Sequence, residues 1–389
     1  MTQSVTVEGR TLAKALKAAT AVVERRNTIP ILCNALLKLE DGRLHLAATD
    51  LDIMIETSID VIDAGEDFST TVNARLLEQI AKLAGPAPLA IEIVEEKHTR
   101  QVYSTSRSRS PDAEERYTLA RARITIAEGD AVYSIETLPA SDFPELDVDQ
   151  SKTKAAIQFT NGRLGEILDK LLPFISTEET RYYLNGIHAT PTVMQATDGH
   201  RLCRVTYDKE AAGDWSVIVP RKVCHLLAKF GGPETTIYIN EDSMRASART
   251  SAGRFIFKLI DGTYPDTARV IPKVEPETPV FEFASANMRT AIERVSAIRD
   301  GQGRAVKIHE MAGEIAITVD NPDVGSSTAK TFEKWPENGF SVAYNGRYLL
   351  DILPKSGRVR MAVSDAGSPA LIEIEGEEDT IRVIMPMRA

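Results

Sequence analysis

Four aspartates, Asp50, Asp52, Asp198 and Asp266, are the side chains in this sequence best suited to catalysis. Carboxylates of this kind gather magnesium and hydrolyse phosphodiesters, which would make the chain a metal-dependent nuclease. They fall, however, in short turn-like strings (ATDLD, ATDGH, YPDT), where an aspartate caps backbone N–H groups without any chemistry. The six histidines, His45, His98, His188, His200, His225 and His309, show no HExxH spacing. There is no P-loop, GxSxG elbow or complete GxGxxG, and the GQG at Gly301 reads as a turn. Cys33, Cys203 and Cys224 lie far apart in apolar stretches, without a CxxC pair, and read as buried free thiols. The chain is expected to be non-enzymatic, with no metal and no cofactor.

Basic residues carry a clearer pattern. Arg10 and Lys17, Arg75 and Lys82, Arg163 and Lys170, and Lys222 and Lys229 are each seven positions apart, close to two helical turns and so on one helix face. Arg289, Arg294, Arg347 and Lys355 continue the basic content later in the chain without that spacing. The net charge of −10 argues against nucleic-acid binding by overall basicity, so any such contact must come from a local surface. Lysines and arginines recurring along helices meet phosphates without reading bases.

The elements that would position these residues follow from length and repetition. A chain of 389 residues suits two or three domains, and 43% hydrophobic with 26% charged residues describes a soluble globular protein. No apolar run approaches the roughly 20 residues that span a bilayer, and MTQSVTVEGR lacks a signal peptide's apolar segment, which places the chain in the cytoplasm. Three segments, from Gly9, Asn161 and Ala286, each read as an amphipathic helix, two alternating strands and an aspartate-bearing turn. Three more, from Thr70, Val217 and Ser341, each run a short strand into a helix that Gly or Pro stops. The endings IETLPASDFPEL, FKLIDGTYPDTARVIP and IRVIMPMRA also match. The predicted architecture is therefore α+β: six strand–helix–strands half-units paired into three tandem domains, helices on one side and antiparallel sheets on the other. The expected boundaries are 1–150, 151–275 and 276–389. The first domain carries an insertion at about 99–129 whose core, STSRSRSPDAEER, has loop composition.

RNTIPILCNALL (26–37), TRYYLNGI (180–187), ATDGHRLCRV (196–205), GTYPDTARVIP (262–272) and VIMPMR (383–388) resemble, in order and spacing, the signature segments of the bacterial DNA sliding clamps, the beta subunit of DNA polymerase III. The resemblance implies a head-to-tail homodimer closing into a ring around duplex DNA, helices inside and sheets outside, and a nucleoid-associated cytoplasmic location. Such a ring holds replicative polymerase, clamp loader and repair polymerases through short peptide motifs. It also implies two sites. DNA would meet Arg26, Arg181, Tyr182 and Tyr183; strand alternation, read from the residues themselves, turns one of the two adjacent tyrosines inward, with Tyr183 expected to be the more buried. Partner peptides would enter a pocket of Leu184, Thr197, Gly199, His200, Arg201, Leu202, Pro265, Arg269, Val270, Val383, Met385, Pro386, Met387 and Arg388.

A strand presenting Val383, Met385 and Met387 on one face suits several related peptides, since thioethers adapt their shape, and Arg201, Arg269 and Arg388 are placed to bind ligand carboxylates or carbonyls. The sequence departs from the family in the longer insertion, in ending at Ala389 rather than a larger apolar residue, and in carrying Arg299 and Asp300 near the subunit junction. Two other function classes compete. One is the nuclease. The other is a repeat protein that scaffolds partners without DNA, which would keep the methionine-bearing surface but not the recurring helix charges.

Overall fold

The computed structural model describes residues 3–102, 113–126, 131–207, 214–240, 242, 244–298 and 305–388. These described residues hold six α-helices: α1 (Gly9–Val22), α2 (Ala74–Ala84), α3 (Arg163–Leu171), α4 (Arg221–Phe230), α5 (Ser285–Val295) and α6 (Gly346–Ile352). Each follows a strand, the strands being Ser4–Glu8, Phe68–Asn73, Thr153–Phe159, Val217–Pro220, Val280–Ala284 and Val342–Asn345, directly except for a three-residue turn before α3. Asn73 and Asn345 start their helices by accepting the N–H of Leu76 and Arg347, the side-chain cap that orphan N-terminal donors require.

Two compact units result, 1–164 with 226–258 and 165–225 with 259–389. In the first, Leu12, Leu16, Ala19 and Val22 form the buried stripe of α1, which packs on α2 through Leu77, Ile80 and Ala81. Burial of each leucine contributes about 2 kcal/mol. Gly9 permits the close approach, because a Cβ there would lie 2.7 Å from that of Ala84. Behind the helices, a sheet of 13 described strands runs antiparallel throughout. The second unit holds an eight-stranded sheet and a four-stranded one, with α5 beside α6. No helix among the described residues is long and apolar enough to cross a membrane.

The insertion is not a loop along its described length. Pro88–Val102 and Ala113–Ile126 form one long antiparallel hairpin, paired from Leu89 opposite Ile126 to Val102 opposite Ala113. The alternation in RYTLARARITI satisfies a strand's period of two, and pairing with the preceding strand satisfies its backbone groups, whatever the Ser/Arg-rich middle does. Residues 103–112 and 127–129 of the insertion, and Asp130, Arg299, Asp300 and Ala389, lie outside the described residues.

Candidate peptide pocket and basic surfaces

The strand Arg201–Thr206 is the seam of the eight-stranded sheet. It pairs on one side with Val193–Thr197 and on the other with Thr380–Ile384, so that Arg201 faces Ile384 and Leu202 faces Val383. The turn into it is built by side chains. Asp198 Oδ1 accepts the N–H groups of His200 and Arg201 at 2.9 and 3.0 Å, and Thr197 Oγ1 donates to the Arg201 carbonyl at 2.7 Å. Gly199 takes φ +87° at the apex, and a Cβ there would meet Arg181 Nη1 at 2.5 Å.

Beside this turn lies a cavity of about 260 Å³. Leu184, Leu202 and Val383, each at most 3% exposed, form its apolar floor. Thr197, Gly199 and His200 make one wall, and Pro265, Asp266, Thr267 and Val270 make the other. Met385 stands at the rim, 39% exposed, with Arg181, Tyr183 and Arg201 completing the lining. The cavity thus gathers Leu184, Thr197, Gly199, His200, Arg201, Leu202, Pro265, Val270, Val383 and Met385, but not Arg269, Pro386, Met387 or Arg388. The strand stops at Ile384 rather than running on to Met387. Met385 N–H still reaches the His200 carbonyl, whereas Met387 N–H bonds the Ala343 carbonyl, which ties it away from the cavity.

Arg201 does not offer its guanidinium to a ligand. Nε bonds Asp198 at 3.0 Å, Nη1 bonds Asp351 at 2.9 Å and Nη2 bonds the Pro173 carbonyl at 2.6 Å. The cation sits between the rings of Phe174 and Tyr348. With every edge of the fork engaged, this arginine acts as an internal strut. Arg269 is highly exposed and pairs with Asp266 at 3.0 Å.

A second polar network supports the walls from below. On adjacent strands, His188 lies opposite Gln195. Its Nδ1 is 2.9 Å from Gln195 Nε2 and its Nε2 is 2.8 Å from Ser216 Oγ, while Gln195 Oε1 accepts the Thr267 hydroxyl at 2.6 Å. The Tyr264 ring stacks on the imidazole at 4.7 Å, and its hydroxyl accepts the Thr197 N–H at 3.0 Å. Burial lowers the His188 pKa to about 4, so the ring is neutral near pH 7.

The folded-state value lies below the ordinary 6.5, so the unfolded chain takes up the proton first and stability falls as pH drops from about 6.5 towards about 4. Allowing for the ring's partial exposure, the loss attributable to His188 is expected to be about 2 kcal/mol. Urea unfolding of the unaltered chain and of His188→Leu across this window measures it as the difference between the two pH slopes. Parallel slopes would refute the assignment.

Of the four aspartates of the nuclease hypothesis, Asp50, Asp198 and Asp266 are turn acceptors and Asp52 is an ion-pair partner. Asp50 Oδ1 takes the N–H groups of Asp52 and Ile53, Asp52 pairs with Lys258, and Asp266 caps Ala268. Among the described residues, no group of three or more His, Cys, Asp or Glu side chains is placed to hold a metal ion. Cys203 and Cys224 are buried, which pushes both thiols up to about 12. Cys33 is only partly buried, contrary to the expectation for all three.

The basic residues separate into two kinds. Arg10, Lys17, Arg26, Lys82, Lys222 and Lys229 are exposed, Lys82 pairing with Glu78 and Lys229 lying over the Phe230 ring, while Arg163 is half-buried. Arg75 instead turns inward, its Nη2 donating to the Thr20 and Val23 carbonyls at the end of α1. Arg289 does the same for Leu350 and Leu353 at the end of α6. Both satisfy carbonyls that a helix end leaves open. Lys170 bonds Thr380 and pairs with Glu377 and Asp379. Arg75 and Lys170 therefore do not belong to a shared solvent face, because an acceptor of a neighbouring element lies within reach of each.

Arg181, Tyr182 and Tyr183 lie on a 3-10 turn, Glu179–Leu184, not on a strand. The Asn185 amide, bonded to the Glu178 carbonyl, and the Asn185 N–H, bonded to that of Tyr182, close it. Tyr182 is exposed at 54% and Tyr183 is half-buried, while Arg181 pairs with Glu178 at 2.7 Å.

The sheet seam occurs twice. Earlier in the chain Ile53–Asp60 pairs with Gly253–Lys258, placing Met54 opposite Ile256 as Leu202 is opposite Val383. The Asp50 turn repeats the Asp198 turn, with Leu51 at φ 78° where Gly199 sits. Here Phe143, Leu146 and Val148 of SDFPELDV pack with Ile31, Leu32, Met54 and Ile256 into a closed apolar cluster. The corresponding stretch of the second seam, TYPDTARV, has Tyr264 for Phe143 and Thr267 for Leu146, and there the space stays open.

Models of the DNA polymerase III beta subunit match this chain in three stretches: the N-terminal domain over residues 3–147, the central domain over 160–266 and the C-terminal domain over 268–388. The beta sliding clamp of Caulobacter vibrioides is 32% identical over 402 residues, covering 98% of this chain and 99% of that one. A DnaN sliding clamp of Pseudomonas aeruginosa bound to griselimycin is similar with a TM-score of 0.84 at 27% identity, over 100% of both chains. One of Bartonella birtlesii, also bound to griselimycin, gives 0.83 at 30% identity, again over 100% of both.

Proposed function

The chain belongs to the DNA polymerase III beta subunit family, the beta sliding clamps, and from that premise we propose that it works without a catalytic step, as a homodimeric ring that slides on duplex DNA and tethers its partners by an apolar pocket. The observation that carries this reading is the 260 Å³ cavity at the sheet seam. A dry floor of Leu184, Leu202 and Val383 with one adaptable methionine at the rim suits an apolar side chain on an extended peptide, and excludes water when filled. Replicative polymerase, clamp loader and repair polymerases would each present such a segment. Griselimycin, bound by the relatives from Pseudomonas aeruginosa and Bartonella birtlesii, is the natural probe of this chain's pocket.

Contact with DNA would fall to the exposed residues of the helices, Arg10, Lys17, Lys82, Lys222 and Lys229, together with Arg26, Arg181 and Tyr182. Such point charges bind phosphate independently of sequence and weaken with salt, which leaves a ring free to slide. Topology then supplies the retention. A clamp assembled on nicked circular DNA is expected to remain through gel filtration and to leave once the circle is cut; equal release from circles and linear DNA would sink the ring reading. Arg10→Glu with Lys17→Glu is expected to lower the salt slope of DNA binding by about 2 per chain, one for each phosphate left without its cation. Lys170→Glu should leave that slope alone and lower the unfolding midpoint, and the opposite pattern would reverse the assignment of these lysines.

A further inference from the structure

Two hydrogen bonds join the pocket's opposite walls, and one imidazole touches the side chains that make both. The first runs from Thr197 N–H, in the wall of the Asp198 turn, to the hydroxyl of Tyr264, the residue before Pro265. The second runs from the Thr267 hydroxyl to Gln195 Oε1, on the strand that leads into the Asp198 turn. His188 stacks on the ring of Tyr264 and bonds the amide of Gln195, while Ser216 holds its far nitrogen. His188 itself is absent from the pocket lining.

We propose that His188 is a positioning residue, which fixes the separation of the two pocket walls and so sets the affinity for an apolar ligand. The stack prevents Tyr264 from rotating, and its hydroxyl therefore meets Thr197 at one height. The bond to Gln195 orients that amide so that its oxygen, not its nitrogen, faces Thr267. Gln195 and Thr267 are both buried, so neither can exchange this contact for water without opening the structure. At the first seam Leu146 fills the place of Thr267 and joins an apolar cluster with Met54 and Ile256, while Arg245 and Arg254 bond the carbonyls of Asp147 and Val148 beside it. An open pocket has no filler to hold its walls apart at a set distance, and a buried polar network does so without occupying the space. Pre-setting that distance removes an ordering cost from binding. The inference rests on the pocket being the peptide site.

The test uses the full chain and griselimycin as the probe. The unaltered chain is expected to bind it, His188→Leu about tenfold more weakly, chiefly through faster dissociation. His188→Asn, whose amide oxygen replaces Nδ1 as acceptor for Gln195, is expected to recover part of the loss. Amide exchange supplies a readout that simple destabilisation would not produce: the N–H groups of Thr197 and Ala268 should exchange faster in His188→Leu, while those of Cys203 and Val205 in the same sheet keep their rates. Thr267→Val cuts the network at its far end and takes over as the decisive variant where His188→Leu does not fold. Binding by the unaltered chain with every variant within twofold of it overturns the positioning role alone. No binding by the unaltered chain sinks the pocket reading and this one with it.

Discussion

A chain ending at Ile384 is expected to bind griselimycin at least about thirtyfold more weakly than the full chain while remaining folded, the loss that follows from removing a rim side chain whose apolar surface is covered only on binding. Met385 is the residue that matters, since it alone among the described residues of the removed tail lines the cavity. The truncation also removes two backbone hydrogen bonds, from Met385 to His200 and from Met387 to Ala343, each contributing about 1 kcal/mol. The strand Thr380–Ile384 keeps its pairing with Arg201–Val205, so the sheet survives. Titration calorimetry with the truncated and full chains decides it. Equal affinity would place the ligand elsewhere, and Met385→Ala separates the side chain's share from that of the tail.

Arg201→Met is expected to cost about 3 kcal/mol of stability. Removing one partner of a buried ion pair leaves the other charge without compensation, and the value belongs at the low end of the usual range because Asp351 is 36% exposed. Asp198, at 14%, is the more confined of the two and is the carboxylate that would be stranded. Methionine keeps the aliphatic stem but not the guanidinium over Phe174 and Tyr348, so the loss reports on the cation's ring contacts together with its charge and hydrogen bonds. Urea unfolding gives the number. Adding Asp198→Asn should recover part of it, since a neutral amide retains the turn acceptor and tolerates burial. A loss below about 1 kcal/mol would mean that the strut contributes no more than an exposed pair.

The repeating strand and helix were legible because each level of the sequence agrees there. Leu12, Leu16 and Ala19 mark one helix face, Asn73 and Asn345 mark the starts, and the three aspartate or asparagine turns mark the hairpins. The hairpin from Pro88 to Ile126 was hidden by the serines and arginines between its strands, which describe the connection and not the flanks. Direction of charge was not legible at all. Arg10 and Arg75 occupy similar places in their repeats, but only Arg75 has the open carbonyls of another helix within reach, a fact of tertiary packing. The same holds for Arg201, whose partners Pro173 and Asp351 lie far along the chain in either direction. In the pocket, Asp266, legible in the string GTYPDTARVIP only as a candidate metal ligand, and Thr267, which nothing in that string marks by itself, both join the lining. Comparing that string with SDFPEL would have found Thr267, since a hydroxyl in place of Leu146 marks where one seam is filled and the other is not.

Every chain carries that seam twice, and its own Leu146 already occupies the first. With the open seam as the proposed peptide site, the described residues of each chain offer one such berth, and a dimer two. Partners that share such a seat would compete for it by residence time and by which one is tethered nearby, with no change in the ring itself.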